Sequence, residues 1–379
     1  MALSGLDIYK VLPKTNCRDC GYPTCLAFAM QLVKKAVSLD KCPHLTQEAK
    51  QKLEQAALPP IKLVKVGTGE KALEVGNETV MFRHEEKFHH PCGIGFILED
   101  SLSDTEIEKN IDLLKSLKFE RIGQLLCPDL VAISQTRPDK ERFLHILKKV
   151  KQDLPLNLIL MSDKEEVLKE ALETTKELRP LIYAATSSNY KMMADLAKSF
   201  ALPLAALAEN LDDLAALVKN LNDLAVEDII LDSGSKPLAN KIADLTQIRR
   251  LALKKNFRLL GYPTITKVLE KDPYKETINA CSLLAKYSSI ILLHGLAPWQ
   301  ALSIFTLRQN IYSDPQKPLQ VEPKVYPIGK VSDASPVLVT TNFSLTYYTV
   351  LSEVESSKIG SYLISVDTEG MSVLTAWAA

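Results

Sequence analysis

The sequence predicts an α/β protein in which a parallel barrel lies between a small helical domain and a further α/β segment. Four cysteines crowd the first 42 residues, strand and helix signals then alternate eight times, and a proline-rich stretch precedes the C-terminal segment. With 379 residues, 46% of them hydrophobic, the chain can bury a sizeable core and form more than one domain.

The first predicted domain spans residues 1–57 and ends where Leu58, Pro59 and Pro60 interrupt the helical pattern. A helix is predicted from Cys25 onward, because apolar residues recur on one helical face at Cys25, Phe28, Ala29, Leu32, Val33 and Ala36. Cys25 then lies in the first turn, where the positive end of the helix dipole favours an anionic group.

The four cysteines, Cys17, Cys20, Cys25 and Cys42, follow the spacing C-x2-C-x4-C-x16-C. Four thiolates from one chain are the usual ligands of a 4Fe–4S cluster, and we predict that these residues hold one. Zinc is the alternative, with His44 replacing one cysteine, although structural zinc sites usually bring a second C-x2-C pair or paired histidines. Four unrelated buried thiols are the weakest of the three interpretations.

Residues 58–91 are predicted to connect the first domain to the barrel. A Gly76-Asn77 turn between strand-like residues 72–75 and 78–82 predicts a hairpin. Metal-ligating residue types also cluster nearby, at His84, His89, His90 and Cys92. Adjacent histidines in a strand point to opposite faces, so we interpret this cluster as surface or packing residues.

Residues 92–313 are predicted to form a closed parallel (β/α)8 barrel. Eight short apolar runs are candidate strands, at residues 93–98, 130–134, 156–161, 181–185, 204–207, 229–231, 259–265 and 289–293. Amphipathic helical patterns accompany them, for example at 105–117, 164–178, 211–220, 239–255 and 298–312. Continuous apolar strands that alternate with helices are typical of a buried parallel barrel. An open doubly wound sheet is the alternative topology.

Barrel enzymes carry their catalytic groups after the carboxyl ends of the strands. Here the residues Asp232, Ser233, Gly234 and Ser235 follow one strand and could bind a phosphate or a pterin. No matched acid and base accompanies them, and polar residues are expected at any barrel mouth. We therefore predict no catalytic residue in the barrel.

The charge balance and cysteine usage restrict partners and location. Lys+Arg and Asp+Glu both total 46, and this balance argues against nucleic acid, which normally binds a clustered basic surface. No secretory signal or membrane span is apparent in the sequence. Seven cysteines without a disulfide-scaffold spacing fit a reducing compartment, and we expect a cytoplasmic protein with Cys92, Cys127 and Cys281 as small buried hydrophobes.

Residues 314–335 are rich in proline and are predicted to be an extended linker. They lead to residues 336–379, where strands are predicted near 337–341, 362–366 and 372–376. A segment this short cannot form a stable core by itself. We therefore expect it to pack against another part of the protein or a partner, or to be incomplete.

Six segments together resemble the large (gamma) subunit of corrinoid iron–sulfur proteins, which serve acetyl-CoA synthase/CO dehydrogenase. They are residues 4–13 (SGLDIYKVLP), 16–30 (NCRDCGYPTCLAFAM), 182–186 (IYAAT), 244–252 (DLTQIRRLA), 339–348 (VTTNFSLTYY) and 365–376 (SVDTEGMSVLTA). The resemblance covers essentially the whole chain. The cysteine motif alone is less specific, because it is similar to modules in other electron-transfer and corrinoid-activating proteins.

The resemblance implies a 4Fe–4S domain, a TIM barrel and a C-terminal corrinoid-binding domain. It implies a heterodimer with a small, barrel-shaped subunit, and a B12-type corrinoid (a cobamide) held between the two chains. Such a pair is a methyl-transfer carrier within a multi-protein system, the reductive acetyl-CoA pathway. It receives a methyl group from methyltetrahydrofolate through a separate methyltransferase and delivers it to acetyl-CoA synthase, while the cluster reactivates oxidised cobalt.

By the same resemblance, Cys17, Cys20, Cys25 and Cys42 are the cluster ligands. The implied corrinoid contacts are Thr340, Thr346, Gly370, Met371, Ser372, Val373 and Ala378. The chain lacks the Asp-x-His-x-x-Gly pattern that supplies a lower axial histidine in other corrinoid proteins. Members of the family continue past the position that matches Ala379, so we expect an incomplete corrinoid domain.

Two other functions stay open from the sequence. In one, the chain is an electron-transfer or assembly subunit that keeps the cluster but binds corrinoid poorly. In the other, it is a barrel methyltransferase that acts on a pterin.

Overall fold

The computed structural model describes residues 5–33, 36–47, 49–50, 53, 59–295, 297–314 and 319–368. Its N-terminal part contains helices α1 (Gly5–Val11) and α2 (Cys25–Val33), which pack together, and a 3-10 turn at Leu39–Lys41. A small apolar core joins them, made of Ile8, Leu12, Cys25, Phe28, Ala29 and Leu53. Helix α2 begins at Cys25 as predicted, but Val33 is exposed, so its buried face is shorter than the sequence pattern.

Two short strands, β1 (Val64–Val66) and β2 (Leu73–Val75), form an antiparallel hairpin. The sequence pattern predicts a different hairpin, in which residues 72–75 pair with residues 78–82, and that prediction is wrong. Residues 78–82 form no strand, because Glu78 turns inward, is 7% exposed and pairs with Arg249 at 3.2 Å. The Glu78 carboxylate also accepts hydrogen bonds from the backbone N–H groups of His89 and His90.

Gly76 directly follows β2, and the backbone conformation at this position requires glycine. Its φ is +97°, and a Cβ atom there would lie 2.0 Å from the carbonyl oxygen of Lys62. We expect Gly76→Ala to lower the free energy of unfolding by roughly 2–5 kcal/mol, from the left-handed backbone and the overpacking together. Urea denaturation followed by circular dichroism measures this change.

Gly69 is the matched control for this substitution. Its φ is +68°, but a Cβ atom there would meet nothing within 4 Å. We expect Gly69→Ala to cost only the backbone contribution of about 1–2 kcal/mol. Equal losses at the two positions would contradict the close approach at Gly76.

The central sheet is parallel and contains eight strands. They are β3 (Gly93–Glu99), β6 (Leu130–Ser134), β7 (Asn157–Met161), β8 (Leu181–Ala185), β9 (Leu204–Leu207), β10 (Ile229–Asp232), β11 (Ile265–Val268) and β12 (Ile290–Leu293). A two-stranded ribbon, β4 (Phe119–Arg121) and β5 (Gln124–Leu126), lies between β3 and β6 in the chain. The strand order is β10-β9-β8-β7-β6-β3-β12-β11.

The two edges of this sheet meet beside β11. Leu231 of β10 bridges to Thr264, and its N–H donates to the Pro263 carbonyl at 2.8 Å. The sheet is therefore a nearly closed TIM-like barrel, and the predicted barrel, rather than the open doubly wound sheet, is confirmed.

One predicted strand, 259–265, is misplaced. The chain forms a 3-10 turn at Arg258–Leu260, and β11 begins only at Ile265. Pro263 lacks the N–H that a strand donates, and Leu260 is buried in the turn instead. The other seven barrel strands lie within one residue of their predicted bounds.

Helices cover the outside of the barrel. They are α3 (Asp104–Ser116), α4 (Lys140–Asp153), α5 (Glu165–Thr175), α6 (Tyr190–Phe200), α7 (Leu211–Asp223), α8 (Leu238–Lys255), α9 (Pro273–Ala285) and α10 (Pro298–Tyr312). Side-chain caps define where several of these helices begin. Ser103 and Glu106 form a capping box on α3, and the Asn210 side chain accepts a hydrogen bond from the first turn of α7.

The barrel interior is apolar, and the β1–β2 hairpin closes its amino end. Val64, Val66 and Val75 pack in the same cluster as the inward-facing residues of the barrel strands. The Gly67 N–H donates to the carbonyl of Arg179, just before β8, at 2.9 Å. The carboxyl ends of the strands therefore lie at the opposite end of the barrel, which the hairpin does not cover.

The C-terminal part is a three-stranded sheet with one helix. β13 (Val325–Ile328), β14 (Val337–Thr341) and β15 (Ser361–Val366) lie in the order β13-β15-β14, with β14 and β15 parallel. Helix α11 (Ser344–Ser357) packs on the sheet. The strands predicted near 337–341 and 362–366 are confirmed, β13 lies within the predicted linker, and the strand predicted at 372–376 is outside the described residues.

Candidate metal centre and ligand edge

The four N-terminal cysteines lie on neighbouring pieces of chain. Cys17 and Cys20 are in the loop between α1 and α2, Cys25 opens α2, and Cys42 follows the 3-10 turn. All four are free thiols. Cys25 is in the apolar core of this domain, Cys20 and Cys42 pack against it, and Cys17 is exposed.

Burial and the neighbouring thiols both affect the charge state of Cys42. The pKa of Cys42 is raised, mainly by burial, and the nearby thiols of Cys20, Cys25 and Cys17 raise it further. A hydrogen bond from the His44 backbone opposes this shift. A metal binds the thiolate form, so this raised pKa disfavours the free Cys42 thiolate, and a bound cation would compensate its charge.

The loop that carries the first two cysteines has an unusual backbone. Lys14, Asn16 and Arg18 have positive φ angles of 60°, 49° and 71°. Non-glycine residues in this region cost on the order of 1–3 kcal/mol each and are retained where the surroundings hold them. Asn16 shows how the loop is held, because its Oδ1 accepts a hydrogen bond of 2.8 Å from the Cys25 N–H at the start of α2.

His44 is engaged by a carboxylate. Its Nε2 lies 2.6 Å from Oδ2 of Asp19, and hydrogen bonds from His44 and Cys17 lower the pKa of Asp19. Among the described residues, Cys17, Asp19 and His44 are the one group of possible metal ligands that lie within 4.8 Å of one another. All three residues of this group are exposed, and it omits three of the four cysteines. Those three, Cys20, Cys25 and Cys42, lie in or against the apolar core, which suits a cluster with four sulfur ligands better than zinc with His44.

The histidines between β2 and β3 contact neighbouring groups of the protein. His90 Nδ1 lies 2.8 Å from the carbonyl of Gly76, and His89 contacts Thr79 and Glu86. Cys92 is fully buried, and burial raises its pKa. These positions agree with the surface or packing role expected of the cluster, in which His84 is exposed and stacks on Phe82. Cys127 and Cys281, which were also expected to be buried, are only half-buried.

A buried ion pair between Asp232 and Lys241 lies at the carboxyl end of the barrel. Asp232 is 1% exposed and accepts hydrogen bonds from Tyr183 Oη at 2.7 Å, Lys241 Nζ at 2.8 Å and the Gly234 N–H at 3.0 Å. Burial, and then the charge of Asp232, raises the pKa of Tyr183 well above its usual value. Both carboxylate oxygens are engaged inside the protein, which leaves Asp232 poorly placed to bind a pterin or to act as a base.

The predicted corrinoid contacts that the structure describes lie at the carboxyl edge of the C-terminal sheet. Thr340 is buried near the end of β14, and Thr346 is exposed in the first turn of α11. The remaining predicted contacts lie outside the described residues; they are Gly370, Met371, Ser372, Val373 and Ala378.

Two further hydroxyl groups at this edge have no hydrogen-bond partner. Thr341 Oγ1 and Ser365 Oγ are both buried, and they lie at the ends of the adjacent parallel strands β14 and β15. Buried polar atoms are rarely left unsatisfied, and open α/β sheets bind ligands at the carboxyl ends of their strands. Sequence reasoning missed both residues, although their place at the ends of predicted strands was a usable signal.

No helix of sufficient length and apolar character to cross a membrane occurs among the described residues.

Two family models match the chain. One, described as "CO dehydrogenase/acetyl-CoA synthase delta subunit", matches residues 63–379, and the other, described as "Putative Fe-S cluster", matches residues 12–44. The second match contains all four cysteines.

Curated relatives cover nearly all of the chain. The corrinoid/iron-sulfur protein large subunit of Moorella thermoacetica is 46% identical over 378 residues, which are 100% of this chain and 85% of that protein. The acetyl-CoA decarbonylase/synthase complex subunit gamma of Methanothermobacter thermautotrophicus is 34% identical over 98% of this chain and 84% of that protein. Among solved structures, a dihydropteroate synthase from Thermus thermophilus aligns with 65% of this chain and 100% of that chain, at a TM-score of 0.44 and 15% identity.

Proposed function

Because the chain belongs to the family of acetyl-CoA synthase/CO dehydrogenase subunits that includes the corrinoid/iron-sulfur protein large subunit, we propose that it is a methyl-carrying corrinoid iron–sulfur subunit. It receives a methyl group that a separate methyltransferase takes from methyltetrahydrofolate, and it delivers the group to acetyl-CoA synthase. A small subunit completes the carrier as a heterodimer. The seven free cysteines agree with a reducing cytoplasm.

The observation that carries this proposal is the packing of Cys20, Cys25 and Cys42 in or against one small apolar core, with Cys17 exposed in the adjoining loop. Cys17, Cys20, Cys25 and Cys42 supply four sulfur ligands, and the partly buried domain around them limits the access of water. When bound, the cluster supplies a low-potential electron, and the corrinoid supplies the nucleophile that accepts and donates the methyl group.

The carboxyl edge of the C-terminal sheet fits the corrinoid. The hydroxyls of Thr341 and Ser365 lie buried at this edge without a hydrogen-bond partner, and Thr340 and Thr346 are small side chains that allow a flat macrocycle to approach. The residues Gly370, Met371, Ser372, Val373 and Ala378 complete the proposed contact surface. The mouth of the barrel is closed by Asp232 and Lys241, so we assign the barrel no catalytic role. Its role in the proposal is to position and dock the two cofactor regions.

The test is anaerobic purification of the chain with its small subunit, followed by metal and sulfide analysis. We expect about four irons, four sulfides and one cobalt per heterodimer. A full cluster without cobalt would favour the electron-transfer alternative. One tightly held zinc without sulfide would contradict both.

A further inference from the structure

Asp19 and His44 join two segments of the chain that carry cluster ligands. Asp19 lies between Cys17 and Cys20, and His44 follows Cys42 by two residues. Nε2 of His44 is 2.6 Å from Oδ2 of Asp19, although the two residues are 25 positions apart in the chain. Since a carboxylate oxygen only accepts hydrogen bonds, the imidazole Nε2–H is the donor. This contact, the Asp19–His44 clasp, connects the loop of the first two thiols to the segment of the fourth.

Both partners of the clasp also contact ligand sulfurs. The backbone N–H of His44 donates a hydrogen bond to Cys42, and the free Cys17 thiol donates one to the Asp19 carboxylate. Iron binds the thiolate form of cysteine, which has no hydrogen to donate, so ligation removes the hydrogen bond from Cys17. The hydrogen bond from the His44 imidazole is the contact of Asp19 that ligation leaves in place.

The loop that the clasp holds is strained. Its backbone has positive φ angles at three non-glycine residues, Lys14, Asn16 and Arg18. Such conformations persist only where the surrounding structure holds them. On one side of Cys17, Asn16 holds the loop by accepting a hydrogen bond from the Cys25 N–H. On the other side of Cys17, the clasp holds Asp19.

The clasp lies on the side of the domain where the ligands are most accessible. Cys17 is exposed, whereas Cys25 is buried and Cys20 and Cys42 are half-buried. Water and chelators therefore reach the Cys17 sulfur most easily. A contact that holds the Cys17 loop against the Cys42 segment limits how often this sulfur moves away from the iron.

We propose that the Asp19–His44 clasp positions the Cys17 loop and slows the loss of iron from the cluster. This inference rests on the proposed function, because it needs the four-sulfur cluster, and it makes Asp19 and His44 positioning residues rather than metal ligands. Hydrogen-bonded groups outside the ligand set commonly orient the ligands of a metal. The two side chains are 52% and 49% exposed, so the size of the effect is that of an exposed pair.

The experiment measures iron release from the anaerobic heterodimer after cluster reconstitution. The ferrous chelator ferrozine is added in excess, and its absorbance follows the release with time. We expect Asp19→Ala and His44→Ala to begin with about four irons per chain and to release them about 2- to 5-fold faster than the wild type. The double substitution should release iron no faster than either single variant, because each of them removes the same contact.

Two further variants identify the hydrogen bond as the cause. His44→Gln keeps an N–H donor near the position of Nε2 and should restore the wild-type rate. Asp40→Ala is the matched control, because it also removes an exposed carboxylate close to Cys42 in the chain, but the partner of Asp40 is Lys50, which carries no ligand. Its rate should equal that of the wild type. Should Asp19→Ala fail to fold, the comparison of His44→Gln with His44→Ala decides the question.

The outcomes separate this inference from the proposed function. Wild-type rates in both alanine variants, equal rates in His44→Gln and His44→Ala, or a double variant in which the two single effects multiply, overturn the clasp and leave the carrier function standing. Reconstituted His44→Ala with less than about one iron per chain also overturns the clasp, since His44 would then be a ligand. A wild-type heterodimer that takes up no iron and sulfide overturns both proposals. Faster release in the single variants, without further acceleration in the double variant, supports the clasp.

Discussion

Replacing Cys25 with serine is expected to abolish the iron–sulfur cluster. Cys25 is only 7% exposed and lies in the core of the small domain, where serine would offer a neutral hydroxyl in place of the thiolate ligand. After anaerobic reconstitution, the iron content should fall from about four atoms per chain to below about one, with loss of the broad visible absorbance. Iron and sulfide assays, with EPR of the reduced sample, measure the effect.

Cys281→Ser is the matched control, because it makes the same chemical change at a half-buried thiol on α9, far from the cluster loop in sequence. It should retain the full cluster content. His44→Ala distinguishes the remaining alternative, since a site made by Cys17, Asp19 and His44 would lose its metal on that change. Retention of full iron by Cys25→Ser together with loss in His44→Ala would refute the four-sulfur centre.

Local patterns account for the parts that could be predicted. The spacing of Cys17, Cys20 and Cys25 is a property of one short loop, and the helix that begins at Cys25 follows from apolar periodicity. The barrel strands are continuous apolar runs, because both of their faces are buried. Such signals depend on neighbours in the chain, so a single sequence contains them.

The features that were missed depend on residues distant in the chain. The hairpin was paired wrongly because Glu78 bonds to Arg249, 171 residues away. Lys241 lies in a predicted helix without any sequence signal that sets it apart, although it is 3% exposed and bonds to Asp232. A lysine has the same sequence pattern whether its amine reaches solvent or a buried carboxylate, so only the folded arrangement distinguishes the two.

The candidate ligand sites show the same division. The cysteines could be assigned from spacing, whereas the unpartnered state of the Thr341 and Ser365 hydroxyls depends on which groups surround them in the folded chain. A donor is unsatisfied when no acceptor lies within hydrogen-bond distance in the folded protein. The sequence alone does not specify which groups lie near it. The resemblance to a family implied Gly370, Met371, Ser372, Val373 and Ala378 as contacts, but it gave no geometry for them.

Asp232→Ala is expected to cause the largest loss of stability. The substitution leaves the Lys241 amine buried with one carbonyl partner, Gly234 O at 2.8 Å, and removes the acceptor of Tyr183. Breaking a buried ion pair by removal of one partner costs about 3–5 kcal/mol. Guanidinium denaturation followed by circular dichroism measures the change in the free energy of unfolding.

Two further variants establish that the cost comes from burial of the charge. Asp163→Ala removes one member of an exposed pair with Lys164, whose side chains are 73% and 60% exposed respectively, and should cost at most about 1 kcal/mol. The double substitution Asp232→Leu with Lys241→Met removes both buried charges, so it should recover most of the stability that Asp232→Ala loses. If the double variant is as unstable as Asp232→Ala, the loss does not arise from an uncompensated lysine. Since the cluster ligands lie outside the barrel, all three variants should keep their iron, which separates a damaged barrel from a damaged metal centre.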